Sequence, residues 1–344
     1  MEALIPQSYR VLVSEPSQIG EARRYATDMA GELGFTSTQQ GRVGIVATEL
    51  ASNLVKFAQG GEFIAQEVRA GGLRGLDLVA LDTGPGFSDA ARIMRDGYST
   101  TGTPGTGLGA VMRLSSEFDL FSTPKLGSVF VSRIWAHDAP RRQSSKLDPG
   151  VVSVPHPGEK ISGDSWWLEE RGSGQYAVLM VDGLGHGGFA AEAAAAAVES
   201  FRQNGSQAPE AVIERMHGAL RATRGAALAV ALVDTAKGRV DYAGVGNITG
   251  AVISDSGIRR MVSHDGTVGH TVHRVQKFTY PWPHGALLVM HSDGLTANWN
   301  LDPYPGLLAR HPSVIAAVWY RAYRRKNDDA TVLVAREVEP EISN

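Results

Sequence analysis

Ala47-Thr48-Glu49-Leu50-Ala51-Ser52-Asn53 is the stretch on which the reading of this chain turns. Around it Val43, Val46, Leu50, Leu54 and Phe57 recur at three- and four-residue steps, the period of a helix with one buried face. The spacing predicts a helix over 38–58, with Leu50, Leu54 and Phe57 marking its buried side. Glu49 and Asn53 stand four residues apart and therefore share a face. They fall at the edge of the apolar stripe, where a polar pair can meet a ligand. Outward on the N-terminal side, a helix over 17–33 is expected, opened by Ser17 as a cap and stopped by Gly34, after a strand over 9–13. On the C-terminal side, strands over 62–69 and 73–81 flank a hairpin turn at 70–72, and further strands follow at 118–121 and 128–134.

Two features complete a pocket around that helix. The strand over 73–81 runs into Leu81-Asp82-Thr83-Gly84-Pro85-Gly86, which puts a carboxylate at a pocket mouth, with glycines that let a ligand approach the backbone. Then Gly102-Thr103-Pro104-Gly105-Thr106-Gly107-Leu108-Gly109 leads into a short helix. A glycine-rich turn at a helix N-terminus offers free N–H groups and a favourable dipole to phosphates. No Gly-Lys-Ser/Thr follows these glycines, so this is not a P-loop.

The stretch 137–150, with a basic pair, Ser144-Ser145 and a closing Pro149-Gly150, has no apolar period and reads as a linker. Beyond it, strands are expected over 177–181, 226–233, 240–243, 286–290 and 330–335, with adjacent helices over 190–202 and 209–220. Acidic motifs sit at the strand ends: Ser162-Gly163-Asp164, Asp182-Gly183-Leu184-Gly185-His186-Gly187, Ser292-Asp293-Gly294 and Asn327-Asp328-Asp329. Carboxylates at strand ends can converge on one edge of a sandwich, and such hard oxygen donors suit Mg²⁺ or Mn²⁺. His186 is a candidate proton donor, though a polar turn residue is the blander account of it. His270 and His273, and the Trp166-Trp167 pair, read as structural. Arg321, Arg324, Arg325 and Lys326 form a basic cluster beside Asp328.

The whole chain sets bounds. Its 344 residues suit about two domains. Hydrophobic residues make up 43% and charged residues 20%, an ordinary globular composition. A formal net charge of -3 gives no support to nucleic-acid binding. With no cysteine there are no disulfides and no thiolate metal sites. The N-terminus lacks a signal-peptide pattern and no apolar run is long enough to span a bilayer, so no membrane association and a cytoplasmic location are expected.

The order and spacing of Glu49-Asn53, Asp82-Gly84-Gly86 and the 105–109 loop resembles the GHKL (Bergerat-type) ATPases, and within them the RsbT-type serine kinases, over residues 9–135. The resemblance implies a two-layer α/β sandwich that binds ATP and Mg²⁺. In it Asp82 reads the adenine amino group, Asn53 holds Mg²⁺ between protein and phosphates, and Glu49 orients or deprotonates the attacking serine hydroxyl. Gly84 and Gly86 line the turn, and Gly105, Thr106, Gly107, Leu108 and Gly109 wrap the phosphates. The second half resembles PPM-type phosphatases of the SpoIIE/RsbX group over 151–338, implying an α/β/β/α sandwich with two Mn²⁺ or Mg²⁺ ions. There Asp182 bridges the metals with the Gly183 carbonyl beside it, Asp293 and Asp328 complete one metal, and Asp164 serves the other. Asp328 and Asp329 compete for one of these places.

Taken together, the expectation is an α/β (α+β) chain with a kinase domain over 1–136, a linker over 137–150, a phosphatase domain over 151–338 and a tail over 339–344. It would act on STAS-domain antagonist or scaffold proteins of a partner-switching pathway, with a downstream phosphatase or sigma-pathway regulator as a further partner. The alternative is that the first domain only binds partners, with ATP as a structural ligand, and that the phosphatase alone is catalytic.

Overall fold

The computed structural model describes residues 8–70, 73–88, 106–136, 147–172, 174–204 and 207–337. The expected turn glycines at 71–72, most of the glycine-rich loop including Gly105, the first part of the linker and the tail lie outside them. The chain divides into two compact units. One comprises residues 8–136 together with Asn300–Arg321, and the other residues 147–299 together with 322–337.

In the N-terminal unit, helices α1 (Pro16–Glu32) and α2 (Ser37–Ala58) pack on a five-stranded antiparallel sheet. The sheet order is β1 (Ser8–Val13), β2 (Gly61–Ala70), β3 (Leu73–Leu81), β5 (Gly127–Trp135), β4 (Glu117–Thr123). A third helix, α3 (Thr106–Leu114), precedes β4. Ser17 does not cap α1: the helix starts at Pro16, whose fixed φ suits a first turn, and the Gln18 side chain accepts a hydrogen bond from the Glu15 N–H at 2.8 Å. Thr36 caps α2 reciprocally with Gln39. The α1/α2 side of the core holds Val43, Val46, Leu50 and Leu54 against Phe63, Leu76, Leu78 and Ala80. Phe57, expected on that buried side, is 46% exposed, because it sits in the last turn, close to where α2 ends at Ala58.

The opposite face of this sheet is buried as well. Ile64, Val79, Leu81, Val129 and Val131, which alternate with the core set, are all buried. Strands covered on both faces read as unbroken apolar runs, and β3 is continuously buried from Gly75 to Leu81. A plain two-layer sandwich leaves that face to water. Here helix α6 (Pro312–Tyr323), which the sequence reading did not foresee, belongs to this unit and bonds to polar residues of that face.

The C-terminal unit stacks two five-stranded antiparallel sheets. The first runs β15 (Phe278–Pro281), β10 (Arg239–Val245), β9 (Ala226–Asp234), β8 (Gln175–Gly183), β7 (Asp164–Gly172). The second runs β12 (Gly257–Arg260), β11 (Thr249–Ser254), β16 (Leu287–His291), β17 (Ala330–Glu337), β6 (Leu147–Val154). Between them lies a core that includes Trp166, Met180, Tyr242, Leu288 and Leu333. A second core joins the first sheet to α4 (Gly188–Asn204) and α5 (Pro209–Ala219), through Val198, Phe201, Ile213 and Met216. Strand β6 begins at Leu147, so residues 147–150, expected in the linker, are paired with β17 instead. Pro149 is compatible with this because β6 is an edge strand. The smaller strands β13 (Gly266–Thr267) and β14 (Thr271–Val272) form a two-stranded ribbon. No helix among the described residues is long and apolar enough to cross a membrane.

Candidate functional sites

In the N-terminal unit the end of β3 and the C-terminal half of α2 come together. A side chain at Gly84 would meet the Ala58 backbone at 3.0 Å. Asp82 is only 6% exposed. Its Oδ1 accepts hydrogen bonds from the N–H groups of Gly84 (2.7 Å) and Ser128 (3.3 Å). Burial pushes the Asp82 carboxyl up from its usual range, while those two N–H groups and the Arg321 guanidinium pull it back. The turn continues through Gly86, whose left-handed backbone (φ +61) packs against the Thr123 carbonyl.

Glu49 and Asn53 are half-buried on α2. Helix α3 opens with Thr106-Gly107-Leu108-Gly109 and packs on α2. A Cβ at Gly107 would run into the Glu49 carboxylate, so the Glu49 side chain lies directly against the start of α3. Leu108 packs on the core and seats the first turn of α3. The structure therefore brings Glu49 and Gly107 together, with Asn53 one helical turn along from Glu49, and sets Asp82 by the end of the same helix. These groups suit a purine triphosphate: a buried acceptor for an amino group, a helix N-terminus for phosphates, and a carboxylate beside it.

The C-terminal unit gathers the expected aspartates. Asp164 opens β7 and pairs directly with Asp182 on β8. Like charges set opposite each other across strands repel. Asp293 follows β16, and Asp328 precedes β17, the neighbouring strand in the second sheet. Burial pushes Asp182 up to about 9, and Asp164, Asp293 and Asp328 add to the push. Burial also raises Asp164, with Asp329 and Asp293 contributing, against a hydrogen bond from Ser292. That bond, Ser292 Oγ to Asp164 Oδ2, is 2.6 Å long and buried, and the Thr331 N–H donates to the same hydroxyl at 3.1 Å. The Asn247 side-chain amide donates to Asp293 Oδ2 at 2.7 Å. Gly183 has no room for a side chain, since a Cβ there would run into the Ala190 carbonyl. These aspartates, with Asp293 among the charges that push Asp164, Asp182 and Asp328 up, form a donor set that fits divalent cations, which remove the repulsion.

The two adjacent aspartates act on different members of the cluster, Asp328 on Asp182 and Asp329 on Asp164. Asp328 is raised by burial and then by Asp293, so it stands with the Asp182 group. Asp329 is 3% exposed; its Oδ1 accepts the His156 N–H at 2.8 Å, while its charge adds to the push on Asp164. His186 bonds Glu159 through Nδ1 at 2.9 Å and stacks on His156 with ring centroids 4.3 Å apart. His270 bonds the Arg224 carbonyl and leads into the extended β14, away from a helical ligand pair. Trp166 is a core residue. Ser292, Asn247 and the Glu159 and His156 partners of His186 were not assigned roles from sequence. Ser292 lay inside a motif read only for its aspartate, and the other contacts join loops far apart in the chain.

Comparison with known proteins matches residues 12–132 to the histidine kinase-like ATPase domain and residues 172–337 to the stage II sporulation protein E (SpoIIE) family. The serine/threonine-protein kinase RsbT of Bacillus subtilis (strain 168) is 38% identical over 114 residues, 33% of this chain and 86% of that protein. The phosphoserine phosphatase RsbX of the same organism is 27% identical over 146 residues, 42% of this chain and 73% of that protein. A solved structure reported for the bacterial stressosome, as a modular system adapted to control secondary messenger signalling, superposes with a TM-score of 0.52. It is 30% identical and covers 56% of this chain and 100% of its own.

Proposed function

The chain belongs to the histidine kinase-like ATPase family and carries a SpoIIE phosphatase domain behind that ATPase domain, and from this premise we propose that it is a bifunctional enzyme of a partner-switching pathway. Its N-terminal site transfers phosphate from ATP to a serine or threonine of a STAS-domain protein, and its C-terminal site removes phosphate from such a residue. The observation that carries the reading is the convergence of Asp164, Asp182, Asp293 and Asp328 in a chain that also sets Glu49 against the start of α3.

In the kinase reaction Asp82 accepts a hydrogen bond from the adenine amino group, and the N–H groups opening α3 hold the phosphates. Asn53 holds Mg²⁺ on the phosphates. Glu49 orients the attacking hydroxyl and takes its proton as the new oxygen–phosphorus bond forms and the γ-phosphoryl bond of ATP breaks. Such transfer depends on positioning and charge neutralisation more than on covalent help from the protein. In the phosphatase reaction Asp182, Asp164, Asp293, Asp328 and the Gly183 carbonyl would hold two Mn²⁺ or Mg²⁺ ions. Such ions supply an activated water and clamp a phosphate for in-line attack. Ser292 and Asn247 fix the orientation of Asp164 and Asp293. No cysteine nucleophile is required. Adding about −1.5 to −2 charges to a partner surface, and removing them, is sufficient to break and restore a close interface.

A phosphorylation time course with purified chain, ATP, Mg²⁺ and a STAS-domain protein tests this. Asp182→Ala is expected to accumulate phosphoprotein that wild type turns over, and Asp82→Ala to make none. Full transfer by Asp82→Ala, or full phosphate release by Asp182→Ala, overturns the corresponding half.

A further inference from the structure

Between the loops that carry Asp293 and Asp328 the chain makes an excursion. Its two ends lie side by side: the Arg325 N–H donates to the Gly294 carbonyl at 2.6 Å and the Thr296 N–H to the Tyr323 carbonyl at 2.9 Å. Its body, Asn300–Arg321, belongs to the N-terminal unit. Every residue of α6 from Pro312 to Tyr320 is buried.

The attachment is polar and specific. The His311 N–H donates to Asp119 Oδ2 at 2.7 Å. Ser313 Oγ lies 2.8 Å from both Asp77 Oδ2 and Arg133 Nη2, two fully buried partners that bond each other. Tyr320 Oη donates to Glu62 Oε2 at 3.0 Å. The series ends on Arg321, whose Nη1 donates to the main-chain carbonyl of Asp82 at 3.0 Å.

That last bond falls on the residue assigned to read adenine. The Asp82 side chain is tethered by the N–H groups of Gly84 and Ser128, and Arg321 fixes the peptide from which it projects. Arg321 is itself half-buried, with Asp82 and Tyr304 as the neighbours that favour its charge. Among the described residues its Nη2 has no hydrogen-bond partner. A half-buried guanidinium tied to one carbonyl is costly as a mere staple, and its charge opposes the upward push of burial on Asp82.

We propose that Arg321 is a positioning residue of the nucleotide site, supplied by a segment that leaves and rejoins the phosphatase sequence between two of its acidic loops, and that it sets the selectivity of Asp82 for adenine. The inference rests on the nucleotide reading of Asp82 given above.

The test is calorimetric titration of the full chain with ATP and with GTP, each with Mg²⁺. Arg321→Met keeps the packed stem and removes the donors and the charge. It is expected to weaken ATP by roughly tenfold or more, the scale of a lost charge-assisted hydrogen bond, and GTP much less, so that the ATP preference shrinks. Arg321→Lys restores a charged donor and is expected to recover most of the preference. Unchanged ATP affinity in Arg321→Met overturns the proposal. So does a fall in melting temperature with equal losses for both nucleotides and no recovery in Arg321→Lys, which marks a structural role alone. Asp82→Ala separates the two levels. If it binds ATP like wild type, the nucleotide reading fails. If it loses ATP while Arg321→Met does not, only the role of Arg321 falls.

Discussion

Asp182 shows how a site can work against the fold that holds it. In the metal-free protein its carboxyl is pushed up to about 9 by burial and by three neighbouring aspartates. The folded state therefore keeps a proton there that the unfolded chain releases near the ordinary carboxylate pKa of about 3.9. Between those limits the metal-free fold loses stability as pH rises. Asp182→Asn is expected to flatten that slope and to raise the metal-free melting temperature at pH 7, by ~2–4 °C for each kcal/mol recovered. The same variant is expected to lose the stabilisation that Mn²⁺ gives wild type. Thermal unfolding at several pH values with and without Mn²⁺ measures both, and a metal-free Asp182→Asn less stable than wild type at pH 7 contradicts the account. At this scale the sequence was informative. Asp164, Asp182, Asp293 and Asp328 announce themselves because each sits where an apolar strand meets a turn. The different surroundings of Asp328 and Asp329 were not legible, because they depend on which way two adjacent side chains turn, and the His156 N–H that holds Asp329 Oδ1 comes from a distant loop.

Among the α-helices of the described residues, α6 was the one hidden from the sequence. Its run Pro312–Tyr323 is buried without a break up to Tyr320, and at twelve residues it offers few turns over which to read a period, whereas α2 alternates buried and exposed positions over twenty-two residues. Strand β6 was hidden for a different reason: Pro149-Gly150 looks like a break, and only an edge position makes it compatible with pairing. What holds α6 is also invisible in one dimension. Ser313 completes the bonding of Asp77 and Arg133, both 0% exposed, which face each other across β3 and β5. Ser313→Ala leaves that ion pair short of one partner and is expected to cost about 1–3 kcal/mol. Asp77→Ala strands a buried guanidinium and is expected to cost about 3–5 kcal/mol. Urea unfolding of the full chain ranks them, and an equal or inverted order refutes the assignment of Ser313 as an auxiliary partner of the pair.

Over the whole molecule, the important fact is the path of the chain rather than the inventory of its domains. A contiguous division at residues 137–150 explains the two motif sets but not Asn300–Arg321, which lies in sequence between Asp293 and Asp328 and folds with the unit that holds Asp82. Sequence reasoning assigns a segment to its neighbours in the chain, so an excursion that closes on itself through Thr296 and Tyr323 is not visible to it. The path has a thermodynamic consequence. If nucleotide binding tightens the Asp82 peptide, it tightens Arg321, and Asp328 follows seven residues later on the same strand of chain. If the acidic loops also differ between arrangements of that segment, a ligand that favours one arrangement alters the metal affinity of the acidic site, and metal there alters nucleotide affinity by the same factor. Typical couplings of this kind are about 5- to 150-fold. The expected result is that Mn²⁺ titrated into the full chain binds with a different dissociation constant when a non-hydrolysable ATP analogue is present. ATP-analogue affinity should change by an equal factor when Mn²⁺ is saturating at the acidic site, with Asp182→Ala as the control for metal bound by the nucleotide alone. Arg321→Met is expected to uncouple the two while each site still binds its own ligand. Equal Mn²⁺ affinities with and without the analogue in wild type would show that the excursion joins the two sites in sequence but carries no free energy between them.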